Sequence, residues 1–160
     1  MVKVVIIYYS RTGNTKSMAI AVTEGVKVEG VEVEVKRVDW ASVFDVLQAD
    51  AIAFGSPCYY GYMNGMLKDL FDRMPIANAN FIEEINGKPV AAFVANGESD
   101  EAKDALMAIE RILFFYCGFK RVAEGIVSKG KASEQKIKEC RELGRELVQA
   151  ALKRTVSLSD

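Results

Sequence analysis

A three-layer α/β domain, a five-stranded parallel sheet with helices on both faces, is the fold class this sequence predicts, and three observations predict it. Apolar runs alternate with segments of helical period along nearly the whole chain, the pattern of repeated strand-helix-strand units. Three of the runs are almost uniformly apolar, as strands covered on both faces must be. The 160 residues fit one such domain, with 50% hydrophobic residues to fill its core.

The first strand is expected near 3–9, on the run Val4-Val5-Ile6-Ile7-Tyr8-Tyr9. A helix near 14–28 follows, with Met18, Val22 and Val26 at helical spacing. The second strand, near 31–38, alternates strictly in Val31-Glu32-Val33-Glu34-Val35-Lys36 and so belongs at a sheet edge with one wet face. A weaker helix near 41–47 leads to the third strand, near 50–55, whose Asp50-Ala51-Ile52-Ala53-Phe54 reads as central. Residues 55–63 read as a loop and 64–73 as a helix. The fourth strand, near 89–95, is the run Pro89-Val90-Ala91-Ala92-Phe93-Val94-Ala95, again central. A helix near 100–117 precedes a fifth strand near 119–127, placed at the other edge by Lys120, Arg121 and Glu124. The last helix, near 133–153, repeats Ile137, Cys140, Leu143, Leu147 and Leu152. Gly30 and Gly118 stand where C-terminal caps are expected. Residues 1–153 are expected to form the single domain and 154–160 a frayed tail.

Composition removes several classes of function. Basic and acidic side chains balance in each half, 8 against 9 in residues 1–80 and 13 against 13 in residues 81–160, so no nucleic-acid footprint or polybasic membrane patch is expected. No apolar run approaches the ~18 residues of a membrane span, and no secretory leader is recognised, which points to the cytoplasm. Cys58, Cys117 and Cys140 are odd in number and far apart, as reduced thiols would be. With no histidine, the usual zinc sets and His-dependent triads are excluded, no metal site is expected, and any chemistry must come from a cofactor, a carboxylate, a hydroxyl or a thiol.

Chemistry is concentrated in three loops that follow central strands. Ser10-Arg11-Thr12-Gly13-Asn14-Thr15 lies between a buried strand and a helix start. Unpaired N–H groups and the positive end of the helix dipole suit that position to an anion, above all phosphate. Such a turn also reads as a simple helix cap. Neither G-x-x-x-x-G-K-[ST] nor G-x-G-x-x-G is present, which disfavours P-loop nucleotides and Rossmann dinucleotides. The second loop, Gly55-Ser56-Pro57-Cys58-Tyr59-Tyr60-Gly61-Tyr62-Met63, is apolar enough to need covering, by a flat aromatic ligand stacked on a tyrosine or by an oligomer interface. The third, Asn96-Gly97-Glu98-Ser99-Asp100, is polar and alone reads as a turn and cap. A receiver domain would need an acidic pair after the first strand and an aspartate after the third, where this chain has Tyr9-Ser10 and Gly55-Ser56.

Together these residues resemble the flavodoxin-like family over about residues 3–150. The first loop matches its signature for the FMN phosphate. The stretch from Gly55 through Gly61, with Gly65-Met66-Leu67-Lys68-Asp69-Leu70-Phe71-Asp72-Arg73, is similar to the second flavin loop and following helix of its flavodoxin and NAD(P)H-dependent reductase branches. The resemblance implies the strand order 2-1-3-4-5, with the ligand at the switch point between the first and third strands, an arrangement known from flavodoxin itself. It also implies that Ser10, Arg11, Thr12, Gly13, Asn14 and Thr15 hold the phosphate. Pro57, Cys58, Tyr59, Tyr60 and Gly61 would line the isoalloxazine, with Tyr59 or Tyr60 stacked on it, and Asn96, Gly97, Glu98 and Ser99 would contact its pyrimidine edge. The implied function is an FMN-binding electron-transfer protein working with a redox partner protein. The alternative is an FMN-dependent reductase passing hydride from NAD(P)H to quinones or similar acceptors. Three departures stand out: a net charge of only −1, no aromatic residue in the third loop, and no histidine after the fourth strand such as some related quinone reductases have; the fifth strand has no insertion, as in short-chain members.

Overall fold

The computed structural model describes residues 1–77, 80–96 and 100–159. Among them the chain runs β1 (Val2–Tyr8), α1 (Asn14–Val26), β2 (Val31–Arg37), a short 3-10 turn (Val38–Trp40), α2 (Val43–Gln48), β3 (Ala51–Tyr59), β4 (Tyr62–Met63), α3 (Gly65–Ala77), α4 (Phe81–Ile85) and β5 (Pro89–Asn96). Then follow α5 (Ala102–Glu110), a π-helical segment (Arg111–Tyr116), β6 (Lys120–Arg121), β7 (Ile126–Lys129) and α6 (Glu134–Ser157). The sheet order is β2-β1-β3-β5-β6, with β7 also on β5 and all five of those pairings parallel. Counting β6 and β7 as one interrupted fifth strand, this is the expected 2-1-3-4-5, with the alternating strand and the charged strand at the edges.

The period of two divides each apolar run between two cores. Val5, Ile7, Ile52, Phe54, Val90 and Ala92 face the side covered by α2, α3, α4 and α5. Val4, Ile6, Ala51, Ala53, Ala91 and Phe93 face α1 and α6. Small side chains on the second face let those two helices approach closely. A Cβ on Gly144 would lie 2.2 Å from the Val22 carbonyl oxygen, and one on Gly25 would lie 1.9 Å from that of Arg141.

Four expectations need correction. The third strand does not end at Phe54. It continues to Tyr59 and turns back through Tyr60-Gly61 into β4, pairing Cys58 with Met63 and Tyr59 with Tyr62. Gly55, Ser56 and Pro57 lack a strand signature, but pairing with Phe93, Val94 and Ala95 of β5 holds them extended; tertiary pairing overrides local propensity here. The helix expected over 100–117 begins at Ala102 and changes to π geometry at Arg111. Gly30 (φ +79°) lies in the turn before β2, not at the cap of α1, which falls at Lys27. Residues 154–157, expected in a frayed tail, are the last turn of α6.

One buried charge fastens α2. Lys88 is 6% exposed, and its Nζ donates to the carbonyls of Val46 and Leu47 in the last turn of that helix. Burial first, then Arg154, lower its pKa from 10.5 to about 8. Between about pH 8 and 10.5 the unfolded chain therefore binds more protons at this position than the folded one, so this contribution to stability grows as pH rises through that window. Wild type should gain unfolding free energy relative to Lys88→Met over that range in denaturant titrations. A constant difference would refute the assignment.

Candidate functional site

The site forms where β1, β3 and β5 end side by side. The loop after β1 is folded by Ser10, whose Oγ accepts from the Gly13 N–H at 3.1 Å. Gly13 takes φ +102° at the N-cap of α1, a conformation that a Cβ would strain. Its carbonyl starts the helix by accepting from the Ser17 N–H at 3.0 Å. No side chain caps α1 and its first turn holds no acid. The simple helix-cap reading of this turn is thus not realised, and no side chain caps the first-turn N–H groups.

Arg37, at the end of β2, braces this loop. Its Nη1 donates to the Ser10 carbonyl at 2.9 Å, its Nε pairs with Asp39 at 3.1 Å, and its guanidinium lies over the Tyr9 ring at 5.2 Å from the centroid. Sequence reasoning missed Arg37, because only the parallel register brings it beside Tyr8.

The opposite wall is the β3–β4 hairpin. Tyr60 (φ +52°) and Gly61 (φ +73°) form its two-residue turn, both in the left-handed conformation that such a tight hairpin requires. Tyr60 is the only positive-φ non-glycine among the described residues. Ser56 ties the base together, its hydroxyl donating to the Pro57 carbonyl at 2.7 Å and accepting from the Asn64 N–H at 2.8 Å. Asn64 Oδ1 then accepts from the Met66 N–H at 2.9 Å, capping α3. Ser56 and Asn64 were also missed, since neither carries a motif.

Between the walls lies a cavity of about 350 Å³ lined by Ser10, Arg11, Thr12, Asn14, Thr15, Pro57, Cys58, Tyr59 and Ala95. The structure thus joins the first two expected loops. Ser10 and Thr15 are buried, while Arg11 and Thr12 stand at the exposed rim. Tyr59 Oη is the only buried side-chain polar atom without a hydrogen-bond partner among the described residues. Burial, then Tyr9, push its ionisation above the ordinary phenol range, with Arg11 opposing. An orphaned buried hydroxyl costs about 1–3 kcal/mol. Tyr60 and Gly61 are not among the residues lining the cavity: Tyr60 is fully exposed at the hairpin tip, and a Cβ on Gly61 would stand 4.0 Å from Cβ of Glu101, the N-cap of α5. Asn96 ends β5 opposite Lys129, while its side chain and residues Gly97, Glu98 and Ser99 lie outside the described residues.

Burial pushes the Cys58 thiol up, against a hydrogen bond from the Gly61 N–H, which keeps it protonated near neutral pH. Cys117 and Cys140 are also buried and free. Cys58→Ser should therefore retain flavin reduction and reoxidation at wild-type rates. Loss of turnover with flavin still bound would assign the thiol a redox role. Among the described residues, no group of three or more His, Cys, Asp or Glu could hold a metal ion, and no helix is long and apolar enough to cross a membrane.

Comparison with known proteins identifies the family and the fold. A family profile for the flavodoxin domain matches residues 5–139. The chain is 37% identical to a flavodoxin of Aquifex aeolicus over 163 aligned positions, covering 93% of this chain and 86% of that protein. It is 29% identical to an NAD(P)H dehydrogenase (quinone) of Archaeoglobus fulgidus, over 67% of this chain and 68% of the other. Among solved structures, a flavodoxin from the domain Archaea superposes with a TM-score of 0.79 at 26% identity, covering 93% of this chain and 98% of that one. The flavodiiron protein from Giardia intestinalis gives 0.80 at 25% identity, covering 94% of this chain but only 36% of the other.

Proposed function

The chain belongs to the flavodoxin family, FMN-binding proteins of electron transfer, and we propose that its cavity between the first loop and the β3–β4 hairpin is where it holds the flavin. The observation that carries this reading is the cavity itself, which joins the uncapped N-terminus of α1 to Pro57, Cys58 and Tyr59 of the hairpin. The residues present fit the group. The amides of the first turn of α1, with Thr12 and Thr15 hydroxyls, supply donors for a phosphate, and Gly13 leaves room for its close approach. Arg11 adds a positive charge at the rim. Pro57, Cys58 and Tyr59 line one wall of the cavity for a planar ring, while Tyr60 and Gly61, at the hairpin tip outside the cavity, are proposed to reach the ring only where it extends beyond the cavity. Asn96, Gly97, Glu98 and Ser99 are proposed for the ring's remaining edge.

The flavin, when bound, supplies the redox chemistry, accepting and releasing electrons. The protein's own contribution is binding, orientation and exclusion of water. Tyr59 and Cys58 both keep their protons near neutral pH, so the wall beside the ring is uncharged. Among the described residues the cavity lining contains no carboxylate, Glu98 lying outside them. The flavodoxin relative favours a carrier, which exchanges electrons with a redox partner protein. The NAD(P)H dehydrogenase (quinone) relative supports a second reading, in which NAD(P)H is the donor and a quinone the acceptor.

Acid release of the cofactor followed by chromatography should recover one FMN per chain. Recovery of FAD, or no flavin after reconstitution with FMN, would overturn the reading. NADH or NADPH added to the loaded protein should bleach it slowly at most, and rapid bleaching would favour the reductase.

A further inference from the structure

A second groove opens at the same edge of the sheet as the flavin cavity. β7 ends at Lys129, in register with Asn96 at the end of β5. Beyond it lies a cavity of about 570 Å³ between α5, β7 and the start of α6, with Lys103, Lys129, Lys131 and Lys136 among its lining and no carboxylate. Leu106 and Val127 give it an apolar floor. Asp100 pairs with Lys129, and Glu139 pairs with Lys136 at 2.9 Å. Lys103 and Lys131 are exposed and make no ion pair among the described residues. Glu110 also approaches the groove, its Oε1 2.9 Å from where a Cβ on Gly125 would stand, and it pairs with Arg121, so Lys103 and Lys131 are the cations left over beside the site of electron transfer.

We infer that this groove docks the redox partner, and that the partner presents a carboxylate-rich face. The inference rests on the electron-transfer reading above and names the chemistry of the partner. Three features favour an acidic protein over a phosphorylated small molecule. Every cation is a lysine, a flexible point charge without the bidentate fork of arginine that clamps phosphate. The cations sit on three separate elements, so they spread over a surface. The N-terminus of α6 is closed by its own Ser133, whose Oγ accepts from the Lys136 N–H at 3.2 Å. Spread, exposed lysines act mainly by steering an oppositely charged face into register.

A second basic groove, lined by Lys120, Arg121, Lys153 and Arg154 with Glu146, lies by Pro89 at the opposite end of β5. The eight residues of β5 separate the two ends by roughly 25 Å, so this groove is remote from the flavin cavity and serves as a control with the same number of cations.

The test uses the FMN-loaded protein and an acidic plant-type ferredoxin as probe. Binding should be measurable at low ionic strength and weaken more than tenfold at 0.2 M salt, as screening of exposed charges requires. Lys103→Glu with Lys131→Glu should weaken it more than tenfold, and Lys120→Glu with Lys153→Glu threefold or less. Carbodiimide, which joins lysine to carboxylate without a spacer, should cross-link Lys103 or Lys131 to the probe. Equal losses in the two double variants, no salt-dependent binding, or binding of inorganic pyrophosphate at the groove without ferredoxin binding would each overturn the inference. Flavin absorbance of the same samples reports the FMN reading separately: loaded protein that fails to bind ferredoxin refutes the docking site alone.

Discussion

Thr15→Val should weaken FMN binding by about 10- to 150-fold while changing riboflavin binding by less than about threefold. Thr15 is 2% exposed on the first turn of α1 and lines the cavity. Valine keeps its shape and removes only the hydroxyl. A hydrogen bond to a charged group contributes roughly 1.5–3 kcal/mol, and each 1.4 kcal/mol is tenfold in affinity. Riboflavin lacks the phosphate and so cannot register the loss. Thr12→Ala, at the rim, should act in the same direction with a smaller effect, because solvent competes there. Fluorescence titrations with both flavins make the comparison, and equal weakening of the two would mean that this loop does not hold the phosphate.

The second large effect concerns the fold. Gly144→Ala should destabilise the domain by about 3 kcal/mol or more, because the new Cβ would meet backbone on two sides. The Val22 carbonyl oxygen lies 2.2 Å from it and the Gly25 Cα 3.0 Å, and neither belongs to a flexible side chain. Overpacking a dense core costs typically 1–3 kcal/mol, and clashes with main chain stand at the upper end. For a domain of this size that is a fall in Tm of about 10 °C. Gly65→Ala is the control, since a Cβ there meets nothing within 4 Å, and it should shift Tm by no more than a degree or two. A similar Tm for both variants would mean that α1 and α6 can part without cost.

These expectations trace back unequally to the sequence. The three-layer fold was legible because its signals are local: uniform apolar runs for β1, β3 and β5, strict alternation for β2, and helical spacing for α1 and α6. The first loop was legible for the same reason, since a strand, a hydroxyl-rich turn and a helix are contiguous. What the sequence hid is long-range. Gly55-Ser56-Pro57 reads as a loop by composition and becomes strand because β5 pairs with it. Arg37 lies 27 residues from the Ser10 carbonyl it holds, and Lys88 lies 42 residues from the Val46 carbonyl it caps. The unpartnered Tyr59 hydroxyl has no sequence signal, because being unsatisfied is a property of the surroundings and not of the residue.

The most direct test of the central claim, that the first loop and the hairpin hold FMN by its phosphate and ring respectively, compares backbone amide spectra of the riboflavin-loaded and FMN-loaded protein. The two ligands differ only in the phosphate, so the account predicts that shifts between the spectra concentrate on residues 10–16, with Tyr59 and Gly61 shifted from the flavin-free protein equally by both. Phosphate-dependent shifts centred instead on the lysine grooves, with residues 10–16 unmoved, would contradict it.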